Sequence, residues 1–224
     1  MRASYTKFSP EENYDLVVLG LPRSGNTYFS YNLRFAFPKL SVGSHVHNFN
    51  NLDSIKNPTA VAAIIRNPRD VVPSWIDLLF AETNLKNLEL KDYLISRIKW
   101  INTNFKILNS KKFTDLDRKV IIDFNSFIND LNSVNSVIHK KFNMDVPKYV
   151  DQQVLRDYVK LQDKLNLGDK YQLMSHVPRE RAEINPELES LKSEIFSLTE
   201  VEDALDEMAH TYLNLKNSEN FYSL

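Results

Sequence analysis

Apolar positions along this chain fall in two rhythms. Leu16-Val17-Val18-Leu19, Ala60-Val61-Ala62-Ala63-Ile64-Ile65 and the core of Lys119-Val120-Ile121-Ile122-Asp123 are short, unbroken and rich in β-favouring residues. A run of that length with no polar face predicts a strand buried on both sides, as in a parallel sheet. Between the runs the spacing changes to three and four. Phe29, Leu33, Ala36 and Phe37 mark one helix, with Pro38 near its end. Leu88, Tyr93, Leu94, Ile98 and Ile101 mark another within 85–110, and Phe127, Leu131, Val134 and Ile138 a third over about 125–141. A further helix is predicted to start at Val71-Val72-Pro73, because a first helical turn does not use the N–H that proline lacks. Residues 150–175 read as a polar helix, 177–185 as a loop and 186–216 as one or two terminal helices. Strands alternating with helices predict an α/β fold, a parallel sheet flanked by helices with a helical C-terminal part. In such sheets ligands bind at the carboxyl ends of the strands.

The length of 224 residues suits one domain, 1–224. With 28 Lys and Arg against 29 Asp and Glu, the formal net charge is −1. That disfavours a general polyanion binder, so no nucleic-acid partner is predicted, but it allows one small anion held by a few local cations. Cysteine is absent, which removes disulfides, thiolate nucleophiles and sulfur-ligated zinc. No run of eighteen apolar residues exists, so no transmembrane segment is predicted. The opening MRASYTKFSPEENYD has no apolar signal core, which predicts a cytoplasmic protein. The oligomeric state leaves no signal in the sequence.

Glycine is the informative count. The chain has 4, where average composition gives roughly fifteen. Gly20 and Gly25 nevertheless fall within six residues of each other, marking a backbone that bends tightly or lies close to something. They frame Gly20-Leu21-Pro22-Arg23-Ser24-Gly25-Asn26-Thr27, between a buried strand and a helix. This resembles the phosphate loop G-x-x-x-x-G-K-S/T, whose backbone N–H groups and helix N-terminus cradle phosphate oxygens, and so predicts a three-layer sheet of the P-loop type. Asn26 replaces the lysine that reaches the outer phosphates, and the cation sits in the loop as Arg23 instead. Asp70 and Asp123 are weak candidates for a Mg²⁺ ligand, so the loop suits one 5′-phosphate and its substituent, and no metal is predicted. A plain strand-to-helix turn with a capping Ser or Thr is the simpler alternative.

A second anion loop, Arg66-Asn67-Pro68-Arg69-Asp70, follows the next strand. Arg66 offers a bidentate fork for phosphate, and Ser74, eight residues on, a hydroxyl. In isolation the segment reads equally as a helix-capping loop with an Arg69–Asp70 surface pair. Taken together, the two loops resemble the sulfotransferases that use 3′-phosphoadenosine 5′-phosphosulfate (PAPS). That family has a 5′-phosphosulfate loop of the form Pro-Lys/Arg-Ser-Gly-Thr/Ser-Thr, here Pro22-Arg23-Ser24-Gly25-Asn26-Thr27, and a 3′-phosphate element in which Arg and Ser keep the spacing of Arg66 and Ser74. Arginine in the first loop is closer to the Golgi and bacterial branches. The likeness covers 16–38 and 60–76 and is diffuse elsewhere.

The resemblance implies PAPS as co-substrate. Backbone N–H groups of Ser24, Gly25, Asn26 and Thr27 would hold the 5′-phosphate, with Arg23 near the bridging oxygen. Tyr28 would stack on adenine, and Arg66 and Ser74 would bind the 3′-phosphate. His45, in Ser44-His45-Val46-His47, takes the position of the family's general base, and His47, two residues on, is the alternative. An imidazole near pKa 6.5 suits proton removal from a hydroxyl. Gly43 stands where the family has lysine, and Phe124-Asn125-Ser126 where it has Tyr-Glu. The C-terminal Arg-Lys-Gly lid is missing, with Arg179 or Arg181 as a loose substitute. The expected activity is sulfuryl transfer to a hydroxyl or amine of a small-molecule, carbohydrate or peptide acceptor. A P-loop small-molecule kinase and a non-catalytic nucleotide-binding relative are the alternatives.

Overall fold

β1 (Leu16–Gly20), β3 (Ala60–Ile65) and β4 (Lys119–Asp123) form where the apolar runs predict them. The computed structural model describes residues 7–56, 59–82, 87–167, 176 and 186–222. Two strands that the runs do not announce, β2 (Val42–Val46) and β5 (Phe221–Tyr222), complete a five-stranded sheet. Every pairing is parallel, in the order β2-β1-β3-β4-β5.

Among the described residues the α-helices are, in chain order, α1 (Asn26–Ala36), α2 (Pro68–Glu82), α3 (Asn87–Ile107), α4 (Lys111–Thr114), α5 (Phe124–Asn129), α6 (Leu131–Phe142), α7 (Gln152–Leu167), α8 (Pro186–Phe196) and α9 (Thr199–Lys216). Strand residues alternate between faces. Leu16, Val18, Ala62, Ile64 and Ile122 pack under α1, α5, α6 and α7. Val17, Leu19, Ala63, Ile65 and Ile121 pack under α2, α3, α8 and α9. Helices cover both faces, so the molecule is a three-layer α/β fold, and this is why β1 and β3 carry no polar positions and β4 carries them only at its two ends. A reciprocal amide pair, Asn32 with Asn135 at 2.6 and 3.2 Å, joins α1 to α6 inside the core.

Two helix boundaries differ from the sequence reading. α2 begins at Pro68, three residues early. The Asn67 carbonyl accepts the Val71 N–H, and its side chain accepts the Arg69 N–H, both at 3.0 Å. Pro68 therefore takes the first helical position, and Pro73 lies in the second turn, where its missing N–H removes a ladder bond. The single helix predicted over 125–141 is two. Asp130 stops α5 and caps α6, accepting the N–H groups of Asn132 and Ser133 at 3.1 and 2.9 Å. The Ser133 hydroxyl also donates to it at 2.6 Å, and these bonds hold its carboxyl below the ordinary range.

β1 lies between β2 and β3, so the chain leaves β1 to one side and later returns to the other. The carboxyl ends of β1 and β3 flank that reversal, where doubly wound sheets open a crevice. Among the described residues no helix is long and apolar enough to cross a membrane.

Candidate functional site

The first loop is a tight turn. Leu21-Pro22-Arg23-Ser24 closes with the Ser24 N–H on the Leu21 carbonyl at 3.1 Å. Pro22 fixes the second position, and the third, Arg23, has a φ of 66°, the pattern of a type II turn. Glycine or asparagine is usual there, and arginine costs about 1 kcal/mol in this conformation. Gly25 follows at φ 83°, and α1 opens with no side-chain cap. Its first bond runs from the Phe29 N–H to the Gly25 carbonyl at 2.9 Å. Helix-opening N–H donors and the positive end of the dipole therefore face the turn. One expectation is corrected: the Ser24 N–H is engaged inside the turn and is not a phosphate donor.

Asn26 does not reach outward. Its amide donates to the Gly20 carbonyl at 2.6 Å and to that of Leu21 at 3.4 Å. This fold-back explains glycine at position 20, where a Cβ would lie 1.8 Å from Asn26 Oδ1. Ser24 Oγ and Asn26 Oδ1 are buried with no hydrogen-bond partner among the described residues.

The second loop arrives beside the first. Arg66 Nη1 donates to the Arg23 carbonyl at 3.4 Å, and its guanidinium lies 4.9 Å from the centre of the Phe124 ring. Arg23 Nε donates to Ser74 Oγ at 3.4 Å. Arg23, Arg66 and Ser74 thus form one cluster at the ends of β1 and β3, with Phe124 from the end of β4 beneath it. Arg69 is not part of it. It is exposed and paired with Glu202 and Asp206 at 2.7 and 2.6 Å, not with Asp70.

Tyr28 is also elsewhere than expected. It is 1% exposed, its ring meets Phe127 edge-on at 5.8 Å, and burial pushes its hydroxyl up to about 12. A ring enclosed in the core offers no face to adenine, so that role is corrected; Phe124 is the aromatic ring at the cluster. Asp123 serves the fold. One oxygen accepts the Tyr212 hydroxyl at 2.7 Å and the other the Ser126 N–H at 3.1 Å. Among the described residues no group of three His, Asp or Glu could hold a metal ion. Arg179 and Arg181 lie outside the described residues.

His45 and His47 stand on the other side of the glycine loop. Pairing between β1 and β2 slips after Val17–Gly43 and resumes at Leu19–Val46, so β2 carries one extra residue. This bulge turns His45 into the left-handed region at φ 64°. Its Nε2 lies 3.3 Å from Thr27 Oγ1 and its Nδ1 3.4 Å from Ser44 Oγ. His47 Nδ1–H donates to the Gly20 carbonyl at 2.7 Å, which leaves Nε2 as its basic nitrogen. The two rings meet edge-on at 5.7 Å. Burial pushes His45 down to about 4, with the nearby His47 and His176 adding repulsion, and burial also lowers His47. Both are neutral at pH 7, and an imidazole held as low as that of His45 is a weak proton acceptor.

The structure adds a residue pair that no motif contains. His176 lies close enough to His45 and His47 for its charge to bear on both, and its ring is bonded to the buried Asp163 at 2.7 Å. Twelve residues lie between the two in the chain, and no periodicity or spacing rule singles them out.

A stability test follows from His45. Protons taken up by the unfolded chain near pH 6.5, but refused by the folded one until about 4, favour unfolding. The contribution is therefore intact above pH 6.5 and is lost as pH falls through that window. His45→Asn tolerates the left-handed φ and removes the imidazole. Urea midpoints measured from pH 7 to 4 should fall less steeply in the variant than in the wild type; equal slopes would contradict the burial of this ring.

Compared with known proteins, the chain matches no family model, and no curated protein matches it significantly.

Proposed function

We propose that the chain binds PAPS and transfers its sulfuryl group to a hydroxyl or amine of a small-molecule, carbohydrate or peptide acceptor. One observation carries this reading: two sequence-distant turns meet in the Arg23–Ser74 and Arg66–Arg23 contacts at the reversal point of a parallel sheet. Two cations and a hydroxyl within one small cluster suit a ligand with separated phosphates. An arginine kept in a left-handed turn position, at a cost in backbone strain, is the kind of outlier that accompanies function.

The residues fit the ligand in part. The helix-opening N–H groups of Gly25, Asn26 and Thr27, with Arg23, would hold the 5′-phosphate, and Pro22 shapes the turn that presents them. The orphaned Ser24 Oγ gives that turn a further donor. Arg66 and Ser74 would hold the 3′-phosphate. PAPS supplies a sulfuryl group already joined to a phosphate leaving group. Arg23 and the α1 terminus place positive charge where negative charge would develop. The kinase reading loses support at Asn26, whose short amide is bonded back to Gly20 where a kinase loop extends a lysine.

Thermal shift and transfer assays test the proposal together. Adenosine 3′,5′-bisphosphate should stabilise the protein without Mg²⁺, and labelled sulfate should pass from PAPS to a member of an acceptor panel. Stabilisation by Mg-ATP alone would establish a kinase instead. Bisphosphate binding with no transfer to any acceptor would establish the non-catalytic relative.

A further inference from the structure

The Asp163–His176 pair is built like a catalytic dyad. Asp163 on α7 is only 4% exposed, and both of its oxygens are turned to one histidine. Oδ2 accepts the His176 backbone N–H at 2.8 Å, and Oδ1 accepts the ring Nδ1–H at 2.7 Å. The backbone bond fixes the residue and the ring bond fixes its tautomer, leaving Nε2 as the basic nitrogen. α7 packs against the middle and far end of α1, with the Tyr31 and Phe35 rings meeting Tyr158 edge-on at 5.3 and 5.2 Å. Tyr31 stands one turn beyond Thr27, whose hydroxyl meets His45, and Asp163 lies near Tyr31 as His176 lies near His45 and His47. Among the described residues, the titratable groups near His176 include Asp163, His45 and His47, with Lys7 beside His47.

The three imidazoles are not equivalent. His45 has its Nε2 against the Thr27 hydroxyl. His47 donates to a neutral carbonyl, which offsets the charge of a captured proton by less than burial opposes it. His176 donates to a buried carboxylate, which compensates that charge. We infer that His176, held by Asp163, is the general base for the acceptor, in place of His45. This rests on the sulfuryl-transfer reading. The acceptor proton passes to His176 Nε2 as the acceptor oxygen or nitrogen bonds to sulfur. The bond from sulfur to the 5′-phosphate oxygen breaks, and its electron pair leaves with adenosine 3′,5′-bisphosphate. Asp163 is a positioning residue.

The test combines transfer, binding and spectroscopy on the full chain. His176→Gln should lower kcat at least about 100-fold while keeping the thermal shift given by adenosine 3′,5′-bisphosphate. His210→Gln, on the exposed side of α9, should leave kcat unchanged. Asp163→Asn should lower kcat and displace the acid limb of the kcat pH profile. Long-range ¹H–¹⁵N spectra should show His176 as the Nδ1–H tautomer in the wild type, with its nitrogen shifts altered in Asp163→Asn. Wild-type turnover in His176→Gln, or an Nε2–H tautomer, would overturn the inference alone. A wild-type protein that neither binds the bisphosphate nor transfers sulfate would overturn the sulfuryl-transfer reading beneath it.

Discussion

Arg66→Ala should weaken adenosine 3′,5′-bisphosphate binding about 100-fold and leave the unliganded protein nearly as stable as before. The two halves of that expectation have different sources. The contacts of Arg66 with the rest of the protein include a long bond to the Arg23 carbonyl and the face of Phe124. A half-exposed cation–π contact is worth about 0.5–1 kcal/mol, so its loss moves the urea midpoint little. A charge-assisted, bidentate phosphate contact is worth about 1.5–3 kcal/mol, and 100-fold in affinity corresponds to about 2.7 kcal/mol. Arg66→Lys keeps the charge but not the planar fork, so it should fall between, at about tenfold. Calorimetric titration of the three proteins at one fixed salt concentration reads all of this. An unchanged affinity in Arg66→Ala would separate the second turn from the ligand, and with it the link between the two loops.

What the sequence made legible follows from how buried each element is. The three central strands are apolar on both faces because helices cover both, so their runs stand out without any pattern analysis. β2 does not, because Val42-Gly43-Ser44-His45-Val46 lies at the sheet edge, mixes polar with apolar residues and carries a bulge. β5 has two residues, too few for any rhythm. The early start of α2 was written in Asn67-Pro68, a capping residue before a first-turn proline, and the break before α6 in Asp130 with Ser133 three residues on. Both are local signals that the longer apolar periodicity masked. Tyr28 shows the opposite failure. A motif position implied an exposed ring, but Phe127 rises from α5 to enclose it. His176 and Asp163 meet only through the tertiary fold, so no spacing rule reaches them.

The loop itself answers to one position more than any other. Gly25→Ala should lower stability by about 2–4 kcal/mol, the larger of the two glycine effects in this turn. At φ 83° an alanine is strained by about 1 kcal/mol or more wherever there is room for it. Here there is none: the added Cβ would stand 2.7 Å from Phe124 Cε2, and forcing a buried ring aside typically costs about 1–3 kcal/mol. Gly20→Ala meets a nearer atom, Asn26 Oδ1 at 1.8 Å, but that atom ends a short side chain that yields by giving up its bonds to the Gly20 and Leu21 carbonyls, about 1–2 kcal/mol. The ring of Phe124 cannot swing, since it is 6% exposed and wedged between Gly25 and Arg66. Phe124→Leu removes the clashing edge, so in a double-mutant cycle the pair Gly25→Ala and Phe124→Leu should cost at least about 1 kcal/mol less than the sum of the single changes. Urea unfolding of the four proteins measures it. Additive costs would mean that the strain is in the backbone alone and that Phe124 does not brace the loop.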